Sequence, residues 1–106
     1  MEIRFFNNRA EKFFEETEPI DRPKVTRIFE LLKLHGNNLG LPFSKSLGGG
    51  LFELRVMGRR HLRYIYVFYS DRTWILHGFV KKTDKISKKD LAYAKEQFVH
   101  LQSYNG

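Results

Sequence analysis

Cysteine is absent from the 106-residue chain. Disulfide staples, thiolate zinc centres and a cysteine nucleophile are therefore excluded, and the composition suits a reducing compartment. No apolar run approaches the roughly 20 residues of a membrane-spanning helix. The opening Met1-Glu2-Ile3-Arg4 lacks an apolar signal core. These absences lead us to expect a soluble, cytoplasmic protein without a membrane partner. Acidic residues are also scarce, but only in one part of the chain. Residues 1–43 hold seven basic and seven acidic residues, whereas residues 44–106 hold twelve and five, so the whole net charge of +7 lies in the second part. Evenly spread charge of this size would serve solubility. Segregated charge points instead to a polyanionic partner. The chain is 42% hydrophobic and 15% aromatic, which argues against disorder. Its length suits one domain over residues 1–106.

Hydrophobic periodicity then orders the elements. Ile3, Phe5 and Phe6 predict a short opening strand. Asn8 precedes Glu11 at capping-box spacing and predicts a helix start, with Ala10, Phe13 and Phe14 on the apolar face and Pro19 as the stop. A second helix is expected from near Asp21, with Pro23 in its first turn, an apolar stripe from Val25 to Leu32, and Gly36 as its end. Residues 36–50 read as a glycine-rich connector. Gly48, Gly49 and Gly50 precede no Gly-Lys-Ser/Thr and open no helix, so they predict a turn rather than a phosphate loop. The period then changes to two. Phe52 to Val56, Leu62 to Tyr69 and Thr73 to Val80 predict a three-strand antiparallel meander. Ser87 and Asp90 form a second capping box, opening a helix from about Lys88 to His100. The expected class is α+β in the order β-α-α-β-β-β-α, with a sheet of about four strands against a helical hairpin and a C-terminal helix.

Strand alternation places the charges. Glu53 and Arg55 share one face, and Arg63 lies with Ile65 and Val67. Glu53 could pair with either arginine, or both arginines could line one open groove. Lys81, Lys82 and Lys85 follow the last strand directly, at the same end of the sheet as Arg55 and Arg63. Four convergent cations, Arg55, Arg63, Lys81 and Lys82, call for an anion, and phosphate fits the arginine fork. Arg59, Arg60, Lys88 and Lys89 read as peripheral contacts or a solvated face. His77 is expected on the side of Ile75 and Phe79, either as a satisfied half-buried histidine or as a catalytic one. The four histidines show no ligand spacing and no accompanying carboxylate cluster, so no metal is expected.

Three segments resemble one family. The run Leu47-Gly48-Gly49-Gly50-Leu51-Phe52-Glu53-Leu54-Arg55 resembles the L-G-x-G-L-[WF]-E-L-R segment of HigB-like toxins of the RelE/ParE superfamily, in the phage-derived "host inhibition of growth" branch. Arg63-Tyr64-Ile65-Tyr66-Val67-Phe68 resembles the family's [YR]-R-x-x-Y-x-F strand, and Leu76 to Lys85 resembles its L-H-G-F-x-K-K-T-x-K segment. The resemblance spans residues 45–98 and implies a type II toxin with a RelE-like fold. It implies a ribosome-dependent, metal-independent mRNA interferase without a cofactor. The implied partners are a cognate antitoxin of helix-turn-helix type, the ribosome and mRNA. It assigns catalysis to Arg63, Arg55, Lys81 and Lys82. It extends RNA contact to Lys85, and the peripheral Arg59, Arg60 and Lys88 are expected to add RNA contacts from their charge alone. Some nucleases of the superfamily carry a lysine on the first meander strand; here that strand offers Glu53, so the general base stays open among Glu53, His77 and a lysine. Two alternatives remain: a ParE-like gyrase inhibitor that cleaves nothing, and a non-catalytic module binding nucleic acid.

Overall fold

The computed structural model describes residues 1–105. The chain runs through β1 (Ile3–Phe5), α1 (Asn8–Glu15), α2 (Arg22–His35), a 3-10 turn at Gly36–Asn38, β2 (Ser44–Gly48), β3 (Leu51–Met57), β4 (His61–Tyr69), β5 (Arg72–Val80) and α3 (Lys88–Asn105). The strands form one five-stranded sheet in the order β1-β5-β4-β3-β2. The expected meander is β3-β4-β5, and β1 joins it parallel to β5.

Three expectations about elements are corrected. The connector contains β2, which pairs antiparallel with β3 through Ser44↔Leu54 and Lys45↔Glu53, so the sheet has five strands rather than four. Gly48, Gly49 and Gly50 all have positive φ, at 88°, 63° and 86°, and so turn the chain tightly from β2 into β3. The cap of α1 is Asn7 rather than Asn8. Its side chain accepts from Ala10 N at 2.8 Å, while its amide donates to Leu76 O and Gln97 Oε1. Long-range bonds to β5 and α3 thus choose between adjacent asparagines. The last helix also runs beyond His100, to Asn105.

The sheet is covered on both faces. On one face, Ala10 of α1 and Val25, Ile28, Phe29 and Leu32 of α2 pack on Leu54, Val56, Leu62, Tyr64, Tyr66 and Ile75. On the other, Ala94 and Leu101 of α3 pack on Leu51, Ile65, Val67, Leu76 and Phe79. Gly78 lies against Phe13 and opposite Tyr64 of β4, and its bare Cα allows α1 to sit directly on β5. Neighbouring Leu76 and His77 fall out of alternation. The β4–β5 register shifts between Ile65 and Tyr66, where Ile65 faces His77 but Tyr66 faces Ile75. This bulge corrects the expected placement of His77. Ile75 belongs to the hairpin-side core, whereas His77 stacks on Phe79 beneath α3.

Helix α3 leaves one end of its face open. Asp90, near its start, touches His77, and Phe98 lies against Gly50 and Tyr69. The helix therefore runs from the middle of β5 towards the β2–β3 turn. The opposite end holds Met57, His61, Arg63 and the segment after Val80.

Candidate functional site

Pairing of β3 with β4 puts Arg55 directly opposite Arg63. Two guanidiniums side by side repel, and Glu53 sits between them. Arg55 Nε donates to Glu53 Oε1 at 3.0 Å, and Arg63 Nε lies 3.6 Å from Glu53 Oε2. Glu53 is only 2% exposed and Arg63 5%. Taking three charges out of water is costly, and each charge here is offset by an opposite neighbour. Burial pulls the Arg63 pKa below its ordinary value; Glu53 opposes that shift and Arg55 adds to it. Arg63 Nη1 also donates to Leu62 O at 3.1 Å. The fork is thus held rigidly at the base of the open end.

Two clefts adjoin it. One, of about 370 Å3, is lined by Met57, His61, Arg63, Lys81, Lys82, Thr83 and Asp84. The other, of about 490 Å3, is lined by Phe79, Val80, Lys81, Lys82, Thr83, Lys85, Ser87 and Asp90. Lys81 and Lys82 face both because the chain leaves β5 between them. Thr83 Oγ1 donates to Lys85 O at 2.7 Å and tightens the turn that presents Lys85. The structure therefore brings Arg63, Lys81 and Lys82 to one cleft and places Lys85 in the adjoining one, which shares Lys81 and Lys82. Arg55 instead lines a separate groove with Lys24 and Arg27 of α2.

The remaining expected residues lie apart. Arg59 and Arg60 face Glu18 at 3.8 and 4.0 Å across the hairpin loop. Arg59 N donates to Asp21 Oδ1 at 3.0 Å, which ties their turn to the start of α2. Lys88 is exposed at the start of α3 and lines neither cleft. Glu53 and His77 line neither cleft either. Three residues in the clefts escaped the sequence reading as site groups: His61, Asp84 and Asp90. In the sequence His61 was only one of four histidines without ligand spacing, and Asp90 only a cap. Their signal was proximity to the cationic segment in the folded sheet, which spacing alone does not carry. Among the described residues, no group of three or more His, Cys, Asp or Glu side chains could hold a metal ion. No helix among them is long and apolar enough to cross a membrane.

A protein-family model described as Phage derived protein Gp49-like (DUF891) matches residues 12–99, which include the meander, both clefts and most of the helical hairpin. The chain belongs to the Gp49-like family. This is a RelE/HigB-like toxin family of toxin–antitoxin systems, and membership suggests an antitoxin partner. Among curated proteins, none matches the chain.

In this Gp49-like chain, α3 is fastened beside the clefts by a buried imidazole. His77 Nε2 and Asp90 Oδ1 are 2.7 Å apart, and His77 is 2% exposed. Ser87 Oγ donates to Asp90 Oδ2 and accepts from Asp90 N. The His77 ring stacks on Phe79 and meets Tyr93 edge-on, with Arg9 over the far ring. Burial pushes the His77 pKa down, which outweighs the bond and charge of Asp90 that raise it; Arg9 lowers it further. Burial alone would raise the Asp90 pKa. The bonds from His77 and Ser87, with the charges of His77 and Arg9, reverse that and hold it low. A neutral imidazole beside a carboxylate donates Nε2–H, which leaves Nδ1 as a buried acceptor without a partner.

This arrangement sets a pH dependence. The folded-state pKa of His77 lies below the unfolded value of about 6.5, so the unfolded chain takes up the proton more readily. Stability from neutral His77 is present above that value and is lost as pH falls through it. Thermal melts from about pH 7 to about pH 5 should show a declining Tm in the wild type. His77→Gln keeps a donor for Asp90 but cannot titrate, so its decline should be shallower. Equal slopes in the two proteins would show that His77 does not set the decline.

Proposed function

We propose that the chain is the toxin of a type II toxin–antitoxin pair and acts as a metal-independent, ribosome-dependent endoribonuclease on mRNA. The observation that carries this reading is the cleft in which the rigid Arg63 fork meets Lys81 and Lys82. In the reaction, the RNA 2′-oxygen bonds to the adjacent phosphorus and the bond from phosphorus to the 5′-oxygen breaks. The 2′-hydroxyl proton goes to a base, and a proton is delivered to the departing 5′-oxygen. The products are a cyclic phosphate and a free 5′-hydroxyl. Negative charge builds on the phosphorane oxygens. A cation already desolvated and held in place stabilises that charge without reorganising. Arg63 meets this condition, held by Glu53 and Leu62 O. Lys81 and Lys82, on the flanking segment, complete the anion site, and Lys85 carries the RNA strand onwards.

Glu53 is an unsuitable base on this reading, because it is buried between two arginines and serves their charge. His77 is likewise withdrawn, with Nε2 on Asp90. His61 is the better proton-transfer group. It is exposed, opens β4 opposite Met57, and lines the cleft with Arg63. Imidazole also suits proton transfer near neutral pH. Controlled induction with mapping of transcript 5′ ends tests the activity. New ends in register with codons are expected. Growth arrest without new ends would support a gyrase-type target instead, and unaffected growth would leave only nucleic-acid binding.

A further inference from the structure

A third cleft lies at the edge of the sheet, between α2 and the end of β3. It has a volume of about 190 Å3, and its lining includes Lys24, Arg27, Leu31, Phe43, Arg55 and Met57. Its chemistry differs from that of the two basic clefts. The floor is apolar, and no carboxylate lines it. Phe43 and Met57 stay 39% and 63% exposed, although both are large hydrophobic side chains. Leu34, 75% exposed, stands three residues after Leu31 and seven after Arg27, so helical spacing continues the same face beyond the groove. Lys24 and Arg27 are exposed and make no ion pair among the described residues. Along α2 the surface is therefore cationic at Lys24 and Arg27 and apolar towards Leu31 and Leu34.

We propose that this groove docks an acidic, amphipathic segment of the antitoxin, with carboxylates on Lys24 and Arg27 and apolar side chains on Leu31, Phe43 and Met57. RNA matches only half of the surface, because phosphates would leave the exposed Phe43 and Leu34 without apolar contacts. An amphipathic acidic segment matches both halves. Met57 lines this groove and also the cleft that holds Arg63. An occupant seated here abuts the RNA site, which gives the antitoxin a way to block the cleft without entering it. The inference rests on the toxin–antitoxin reading for the identity of the partner, but its test does not require the chain to cut RNA.

The test uses the full chain, isotope-labelled, titrated with a helical peptide of Leu-Glu-Glu-Leu repeats and with its Lys-for-Glu counterpart. The acidic peptide should shift backbone resonances of α2 and of residues around Phe43 and Met57. It should bind at least about tenfold more tightly than the basic one. The double variant Lys24→Ala/Arg27→Ala should weaken the acidic peptide about tenfold while leaving RNA cleavage unchanged. Both side chains are exposed, so the variant should fold. Equal binding of the two peptides would overturn the proposal. So would shifts centred on Lys81 to Lys85, or self-association of the free chain through the same residues. Absence of cleavage in every form would count against the nuclease reading alone, since the peptide titration would still report on the groove.

Discussion

Arg63→Ala should lower RNA cleavage by roughly two to three orders of magnitude, the loss typical when one preorganised transition-state donor is removed. Growth arrest on induction should disappear with it. The size of the effect follows from how the guanidinium is held. It is 5% exposed, bonded to Leu62 O and faced by Glu53, so it loses little freedom when phosphate arrives. The same substitution has a second consequence. Glu53, 2% exposed, would keep only Arg55 as a counter-charge. Breaking one side of a buried ionic cluster costs on the order of 3 kcal/mol, so lost activity could reflect lost fold. Arg63→Lys separates the two. It keeps a positive charge for Glu53 but has no fork for two phosphate oxygens. It should melt nearer to the wild type and still lose most of its cleavage. Wild-type cleavage by either variant, folded by circular dichroism at the assay temperature, would remove Arg63 from the proposed mechanism.

Gly78→Ala should be the most damaging single-methyl change in the sheet. A Cβ at Gly78 would lie 2.5 Å from Phe13 Cδ2 and 3.0 Å from Tyr64 Cε1. Tyr64 has no room to retreat, and half-buried Phe13 is packed against it. Tyr64 is fully buried, and Phe13 meets it edge-on with centroids 5.6 Å apart. Tyr64 also meets Phe29 of α2 at 5.0 Å. A clash here pushes α1 off β5 and disturbs the aromatic cluster. Overpacking of this kind costs roughly 3 kcal/mol, which for a domain of this size lowers Tm by more than about 10 °C. Phe13→Ala removes the nearer clashing atoms. Its combination with Gly78→Ala should therefore be less destabilised than the two separate losses add up to. Strict additivity would show that the new methyl strains the backbone rather than the ring.

Much of the architecture was legible because local chemistry determined it. The change from a helical to a two-residue period located the meander, and Ser87 with Asp90 marked the start of α3. Strand β2 was not legible, because Ser44-Lys45-Ser46-Leu47-Gly48 has almost no β-branched or aromatic signal. Its pairing with β3 makes it a strand. The side on which His77 lies was not legible either. A bulge reverses the alternation, and a bulge is a property of two strands in register rather than of one segment.

The site divides along the same line. The sequence by itself determined that the excess positive charge lies in residues 44–106, that Arg55 and Arg63 occupy neighbouring strands, and that Lys81, Lys82 and Lys85 follow the sheet directly. Only the tertiary structure decided which of these cations share a cleft. Arg63, Lys81 and Lys82 do, while Arg55 turns to Glu53 and to the groove of Lys24 and Arg27. It also withdrew Glu53 and His77 from solvent and placed His61 and Asp90 at the rims. The reason is the range of the forces involved. Alternation and capping act over a few neighbouring residues, but cleft membership depends on register, on where α3 stops covering the sheet, and on which buried charges find partners from distant strands.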